Sequence, residues 1–179
     1  MKSIFTILLV SITLLSNAQN RCGTEAHTLK LIDKYPYYAK ARAKVNTETT
    51  NWISNHSTYK AKIIITIPVV VHVVWNTTSE NISNAQIFSQ INVLNKDFRR
   101  TNIDVINTPS VWQGIAADCE IEFCLAATDP NGNATTGITR TQTTHASFSM
   151  NDDVKSTSNG GVDAWDNNNY LNIWVCNLD

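Results

Sequence analysis

The chain has 179 residues, of which 42% are hydrophobic and 16% charged, and its formal net charge is -1. That length accommodates one folded domain after removal of a targeting segment, and the hydrophobic share is enough to bury a core, which excludes an intrinsically disordered chain. Near-neutral charge with no basic stripe excludes the electrostatic footprint of a nucleic-acid binder, so no nucleic-acid partner is expected.

Lys2 opens the chain, Ile4 to Leu15 form an uncharged, mostly apolar run, and Ser16-Asn17-Ala18 place small residues at the two positions a signal peptidase reads. Residues 1–18 are therefore expected to be a signal peptide, cleaved after Ala18 to release a secreted protein beginning at Gln19. The run falls short of the roughly 20 apolar residues that span a bilayer, so no stable membrane anchor is expected. Cys22 follows Gln-Asn-Arg, not the small apolar residues of a lipid-attachment site. Export leads to surroundings where disulfides persist. Cys22, Cys119, Cys124 and Cys176 could form two bridges in three connectivities.

Residues 19–60 are polar and read as a pro-segment. Thr24 to Lys34 is expected to be a short helix capped by Thr24 and ended by Pro36, whose ring and missing N–H cannot continue it. Tyr37 to Asn55 is expected to be a second, weaker helix with Ala39, Ala43 and Ile53 on one side. With so few large apolar residues, this region must lean on something else.

The pattern changes at Ile63. Ile63 to Trp75 is almost continuously β-branched, which suits a strand buried on both faces, as in parallel sheets. Pro68 is expected at its start, since a central strand cannot spare a donor. A helix follows: Ser83 and Gln86 have capping-box spacing, Ile82 and Ile87 stand as a hydrophobic staple, and Ile87, Ile91, Leu94 and Phe98 form one apolar face. Lys96, Arg99 and Arg100 suit its C-terminal dipole. Glu120 to Ala126 is expected to be a second strand, Asp129-Pro-Asn-Gly132 a turn, Gly137 to Thr143 a short strand, and Tyr170 to Cys176 the last. Strand, helix, strand, loop, strand opens an α/β sheet with right-handed crossovers.

Few residues carry recognisable chemistry. His27, His56, His72 and His145 show no i, i+4 pair with an intervening Glu, so no zinc-hydrolase helix is present. His72 lies in mid-strand and reads as a satisfied core histidine; the other three lie in polar segments and read as solvated. Gly-x-Ser-x-Gly, a P-loop and Cys-x-x-Cys are all absent. Asp129, Asn131 and Asn133 alternate as in a calcium loop, but Gly132 is misplaced and no Glu closes the set, so a tight turn is the better reading. Asn-x-Ser/Thr triplets begin at Asn55, Asn76, Asn81 and Asn133. Arg21-Cys22-Gly23 resembles the cysteine switch of zinc-protease zymogens, in which a thiolate occupies the position catalysis needs for water. The competing reading is a structural disulfide.

Several segments together resemble the pappalysin family of the metzincin clan, especially its secreted, cytophagalysin-like bacterial members. They are Ile67 to Val74, Ile82 to Ile87 running on to Leu94 through Arg100, Ile121 to Ala126 with Asp129 to Gly132, Gly137 to Arg140, and Gly160 to Asp166 with Tyr170 to Val175. No single piece is specific; their order and spacing are. The resemblance implies an α/β fold, with residues 61–179 forming the N-terminal half of a metzincin-like catalytic domain: a mixed, mostly parallel sheet with one long amphipathic helix. It implies a secreted zinc metalloendopeptidase zymogen acting on protein or peptide substrates. In that family a helix bearing His-Glu-x-x-His-x-x-Gly-x-x-His follows, its His binding zinc and its Glu activating water. The chain is thus expected to be truncated before the zinc-binding helix, to carry no catalytic residue, and to be inactive and zinc-free alone. Cys22 alone carries over, as a latency ligand to zinc. A free-standing, non-catalytic binding or decoy module with the same half-fold is the alternative.

Overall fold

The computed structural model describes residues 23–56 and 63–179. The signal peptide expected over residues 1–18, Cys22, and the boundary expected between residues 60 and 61 lie outside the described residues. There are two compact units, one ending at Trp52 and the other beginning at Ile53.

The first unit contains helix α1, Thr24–Lys34, and most of α2, Pro36–Asn55. Thr24 is not the cap of α1. Gly23 takes that position without a side-chain hydrogen bond, and Thr24 is already helical. Pro36 does separate the helices, because it serves as the first residue of α2, where its fixed φ suits a helix and its missing donor is not needed. No residue of either helix is buried, and Leu29, Tyr37, Val45, Trp52 and Ile53 are exposed. Among its described residues the segment shows no core of its own.

The second unit is built on strand β1, Ile65–Trp75, which pairs in parallel with all three other strands: β2, Ile121–Leu125; β3, Ile138–Gln142; and β4, Leu171–Val175. Ile65 N–H donates to Glu120 O and Val69 O accepts from Ala126 on the β2 side; Val71 N–H donates to Gly137 O and Trp75 O accepts from Thr143 on the β3 side. All four are odd-numbered residues, and alternate residues of an extended strand direct their backbone groups to one edge. Strands β2 and β3 therefore follow one another along one edge of β1, and β4 takes the opposite edge.

This geometry corrects the placement of Pro68. It lies inside β1, opposite Cys124, not at the strand's start. Its nitrogen faces the β4 edge, where pairing begins one residue later with Val69 and Leu171. No ladder bond is lost, so proline is tolerated within an otherwise central strand.

Side chains of β1 alternate between two cores. Val69, Val71 and Val73 pack with Phe123 of β2 and Ile87 of helix α3, Asn84–Phe98, and are surrounded by Ile82, Ile91, Leu94 and Phe98. Phe98 meets Phe123 edge to face at 4.9 Å. The predicted capping box is present: Ser83 Oγ accepts from Gln86 N–H at 3.3 Å and Gln86 Oε1 accepts from Ser83 N–H at 2.9 Å. Arg140 of β3 fastens the start of α3 by donating to Asn84 Oδ1 at 2.6 Å, to Ile82 O at 2.7 Å, and to Asn81 Oδ1. Asn95 completes the far edge of β2. Its side chain donates to Phe123 O at 2.9 Å and accepts from Phe123 N–H at 2.7 Å, standing in for a further strand.

On the other face Val74 packs with Phe148, Val154, Val162, Trp174 and Cys176. Three of these belong to the long connection between β3 and β4. The chain thus folds its own loop over this face. Two single-turn helices, Asp153–Lys155 and Thr157–Asn159, lie within that loop. Gly161 lets them close up: a Cβ there would lie 2.1 Å from Val154 O.

Candidate functional site

The residue in this fold that most demands partners is His72. It sits at the centre of β1, pairs in register with Thr139 on one side and Trp174 on the other, and is fully buried. A buried imidazole must satisfy two ring nitrogens. Nδ1 lies 2.7 Å from Thr139 Oγ1 and Nε2 lies 2.9 Å from Asn172 Oδ1. The amide orientation of Asn172 is fixed independently: its Oδ1 accepts from Trp165 N–H at 2.7 Å, and its Nδ2 donates to Trp165 O at 3.0 Å. Nε2 must then carry the proton, and Nδ1 accepts from the Thr139 hydroxyl. The Trp174 ring lies 5.2 Å from the imidazole, and Trp165 meets it edge-on at 6.2 Å. Burial holds the His72 pKa below the ordinary histidine value; the hydrogen bond to Asn172 opposes this only in part. The reading of His72 as a satisfied core histidine holds. Its partners Thr139, Asn172 and Trp165 were not found from sequence, although a histidine inside a run of valines signals that two such groups must exist.

The other histidines do not gather around it. His145 is exposed, stacks on Phe148 at 5.3 Å, and lies against Gly160, where a Cβ would come within 2.5 Å of its ring. His56 is exposed, and His27 is half-buried. Among the described residues no group of three or more His, Cys, Asp or Glu is placed to hold a metal ion. The described residues therefore do not fit a zinc centre. Cys119, Cys124 and Cys176 are free thiols; the first two are exposed, and burial pushes the Cys176 thiol above its ordinary value. Cys119 lies ahead of β2 and Cys124 within it.

The sequence 129–133 is a turn. Gly132 has φ +85° and its N–H donates to Asp129 O at 3.0 Å. The Asp129 carboxylate accepts from the backbone N–H of Asn131 and Asn133 at 2.9 and 2.8 Å, and these bonds hold its pKa below the usual carboxylate range. No helix of the described residues is long and apolar enough to cross a membrane.

A parallel sheet organised on one valine-rich strand, backed by a single capped helix and closed on the other face by a long loop, is the α/β half-fold that the resemblance implied. Solved structures match it. A structure described as mirolysin in complex with compound 9 is 58% identical, with a TM-score of 0.64, over 66% of this chain and 44% of that one. Mature mirolysin of Tannerella forsythia in complex with a cleaved peptide is 56% identical, with a TM-score of 0.61, over 64% of this chain and 43% of that one. A mutant of Tannerella forsythia promirolysin is 48% identical, with a TM-score of 0.66, over 83% of this chain and 47% of that one. The chain spans a little under half the length of the solved chains it matches. No family model and no curated protein matches it. The similarity to these structures supports kinship with a metalloprotease and a zymogen, and does not single out the pappalysin branch.

Proposed function

We propose that this chain is the leader and upper half-sheet of a secreted zinc metalloendopeptidase zymogen of the pappalysin branch. The observation that carries the proposal is 48% identity to a promirolysin over 83% of this chain. The longer match to the pro-form than to the mature form, 83% against 64%, supports reading the residues ahead of β1 as a pro-segment. In this reading the 179 residues supply scaffold, and zinc, its ligands and the general base belong to the part of the matched proteins that this chain does not cover. Substrates are proteins or peptides, and Cys22 is the thiolate that keeps zinc from water before activation.

Two experiments test this. A polypeptide extending these residues with the coding sequence that follows codon 179 should bind one zinc ion and hydrolyse casein in a chelator-sensitive way; failure to bind zinc overturns the assignment. In that polypeptide Cys22→Ala should shorten latency without altering the fold. A variant as latent as the parent, with Cys22 found in a disulfide, overturns the switch.

One observation favours the alternative of a free-standing binding or decoy module: residues of the 143–170 loop already close the second face of the sheet. A monodisperse, cooperatively unfolding 19–179 chain, with no protease sequence following codon 179, would establish it.

A further inference from the structure

We infer that His72 is an acid-sensitive latch whose protonation releases the 143–170 loop from the sheet while leaving the α3 face in place. The inference does not depend on the protease reading. It rests on how many elements meet at one neutral, buried ring. His72 belongs to β1, Thr139 to β3 and Asn172 to β4, and through Asn172 the backbone of Trp165 in the loop is held as well.

The groups facing the ring are all neutral. From β3 there is Thr139, from β4 Asn172 and Trp174, from the loop Trp165, and from β1 itself Val70 and Val74. The charged residues near these groups in sequence are engaged elsewhere. Arg140 is bonded at the start of α3, Asp163 accepts from Thr157 N–H and Oγ1–H, and Asp166 accepts from Asn168 and Asn169. Lys155, paired with Asp152 at 2.6 Å, lies 5.8 Å from the Trp174 ring centre, so the ring beside His72 already has a cation near it. No carboxylate hydrogen-bonds His72.

A proton can enter only at Nδ1, because Nε2 already donates to Asn172. Nδ1 would then become a donor, and Thr139 would have to turn its hydrogen away to accept. The result is a buried cation without a counter-charge, which is costly enough that the surroundings open instead. Opening toward the loop side parts Val74 and Trp174 from Phe148, Val154 and Val162, together with the hydrogen bond that Trp174 Nε1–H donates to Val162 O. Opening toward α3 would part the larger core of three valines, Phe123 and Ile87, to which β4 adds Ile173 and Val175, so β4 stays with that face. Release is therefore one-sided. The sign is fixed by linkage: a histidine with lowered native pKa binds more protons when unfolded, so the stability it confers is full above the ordinary value near about 6.5 and declines as pH falls from there through the native value.

Hydrogen exchange of the full chain at pH 7.5 and 5.0, corrected for intrinsic rates, provides the test. Protection at residues 143–170 should fall at least tenfold on acidification, while that of α3 and of Phe123 changes less than twofold. In His72→Gln, which keeps a donor and an acceptor but cannot titrate, the difference between the two regions should disappear. Equal loss on both faces overturns the inference, as does a local loss that persists in His72→Gln. Should that variant fail to fold, the His72 Cε1 proton resonance of the parent decides: a midpoint at or above the ordinary histidine value overturns the latch, and a lower one coinciding with loop release supports it.

Discussion

The Asn172 side chain satisfies both the buried imidazole of His72 and the two backbone groups of Trp165. Asn172→Ala leaves those groups unpaired, and each buried unsatisfied group costs about 1–3 kcal/mol. Urea unfolding should show a loss within or above that range, against a negligible loss for Asn168→Ala, whose side chain is exposed. Asp129 provides a contrasting pH dependence. Its turn hydrogen bonds depress its native pKa, so the unfolded chain binds more protons at acid pH. The stabilisation is full above the ordinary carboxylate range and disappears as pH falls through the depressed value. Asp129→Asn should flatten the dependence of Tm on pH below about 4, the region where carboxylates titrate; an unchanged profile would refute the role. At this scale the sequence revealed the need but not the answer. A histidine among valines must find two partners, yet Thr139 and Asn172 are ordinary strand residues until the register brings them beside it.

Among the elements, α3 was the most legible, because its caps and apolar face are local. Ser83→Ala removes one side of the capping box and should cost about 1 kcal/mol, as N-cap losses typically do. Gly161→Ala should cost more than that, because the added Cβ would lie within 2.1 Å of the Val154 carbonyl; thermal unfolding of the two variants side by side checks the order. The strands were legible to within a residue or two from β-branched runs, whereas the position of Pro68 was not. Whether a proline belongs at a strand's end or inside it depends on where the neighbour on one edge begins, and β4 lies far along the chain. The cover over the second face was likewise hidden, since the 143–170 loop has neither period and contributes only isolated apolar residues such as Phe148, Val154 and Val162. Asn95, which closes the edge of β2 with its amide, has no sequence signature at all.

For the molecule as a whole, the proposed function assigns zinc and its ligands to the part of the matched proteins that this chain does not cover, so the purified 179-residue chain should hydrolyse neither casein nor gelatin and should retain no stoichiometric zinc after dialysis. Chelator-sensitive proteolysis by the pure chain would contradict this. The resemblance was legible because several short segments keep their order, while Cys22, the one residue it brings into the chemistry, lies outside the described residues. The arrangement around β1 also bears on how the molecule is made. Among the described residues every ladder runs through that strand, and its His72 is bonded to Asn172, 100 residues further on. A chain emerging N-terminus first, from a ribosome or through a translocation pore, presents Val69 to Val74 long before β4 exists to pair with them. Contacts so distant in sequence form slowly, and an unpaired, valine-rich strand is what aggregation and chaperones both select. The residue that fastens the finished sheet is thus among the last to be secured, and the time between its emergence and that of Asn172 sets how long the nascent protein needs a protector.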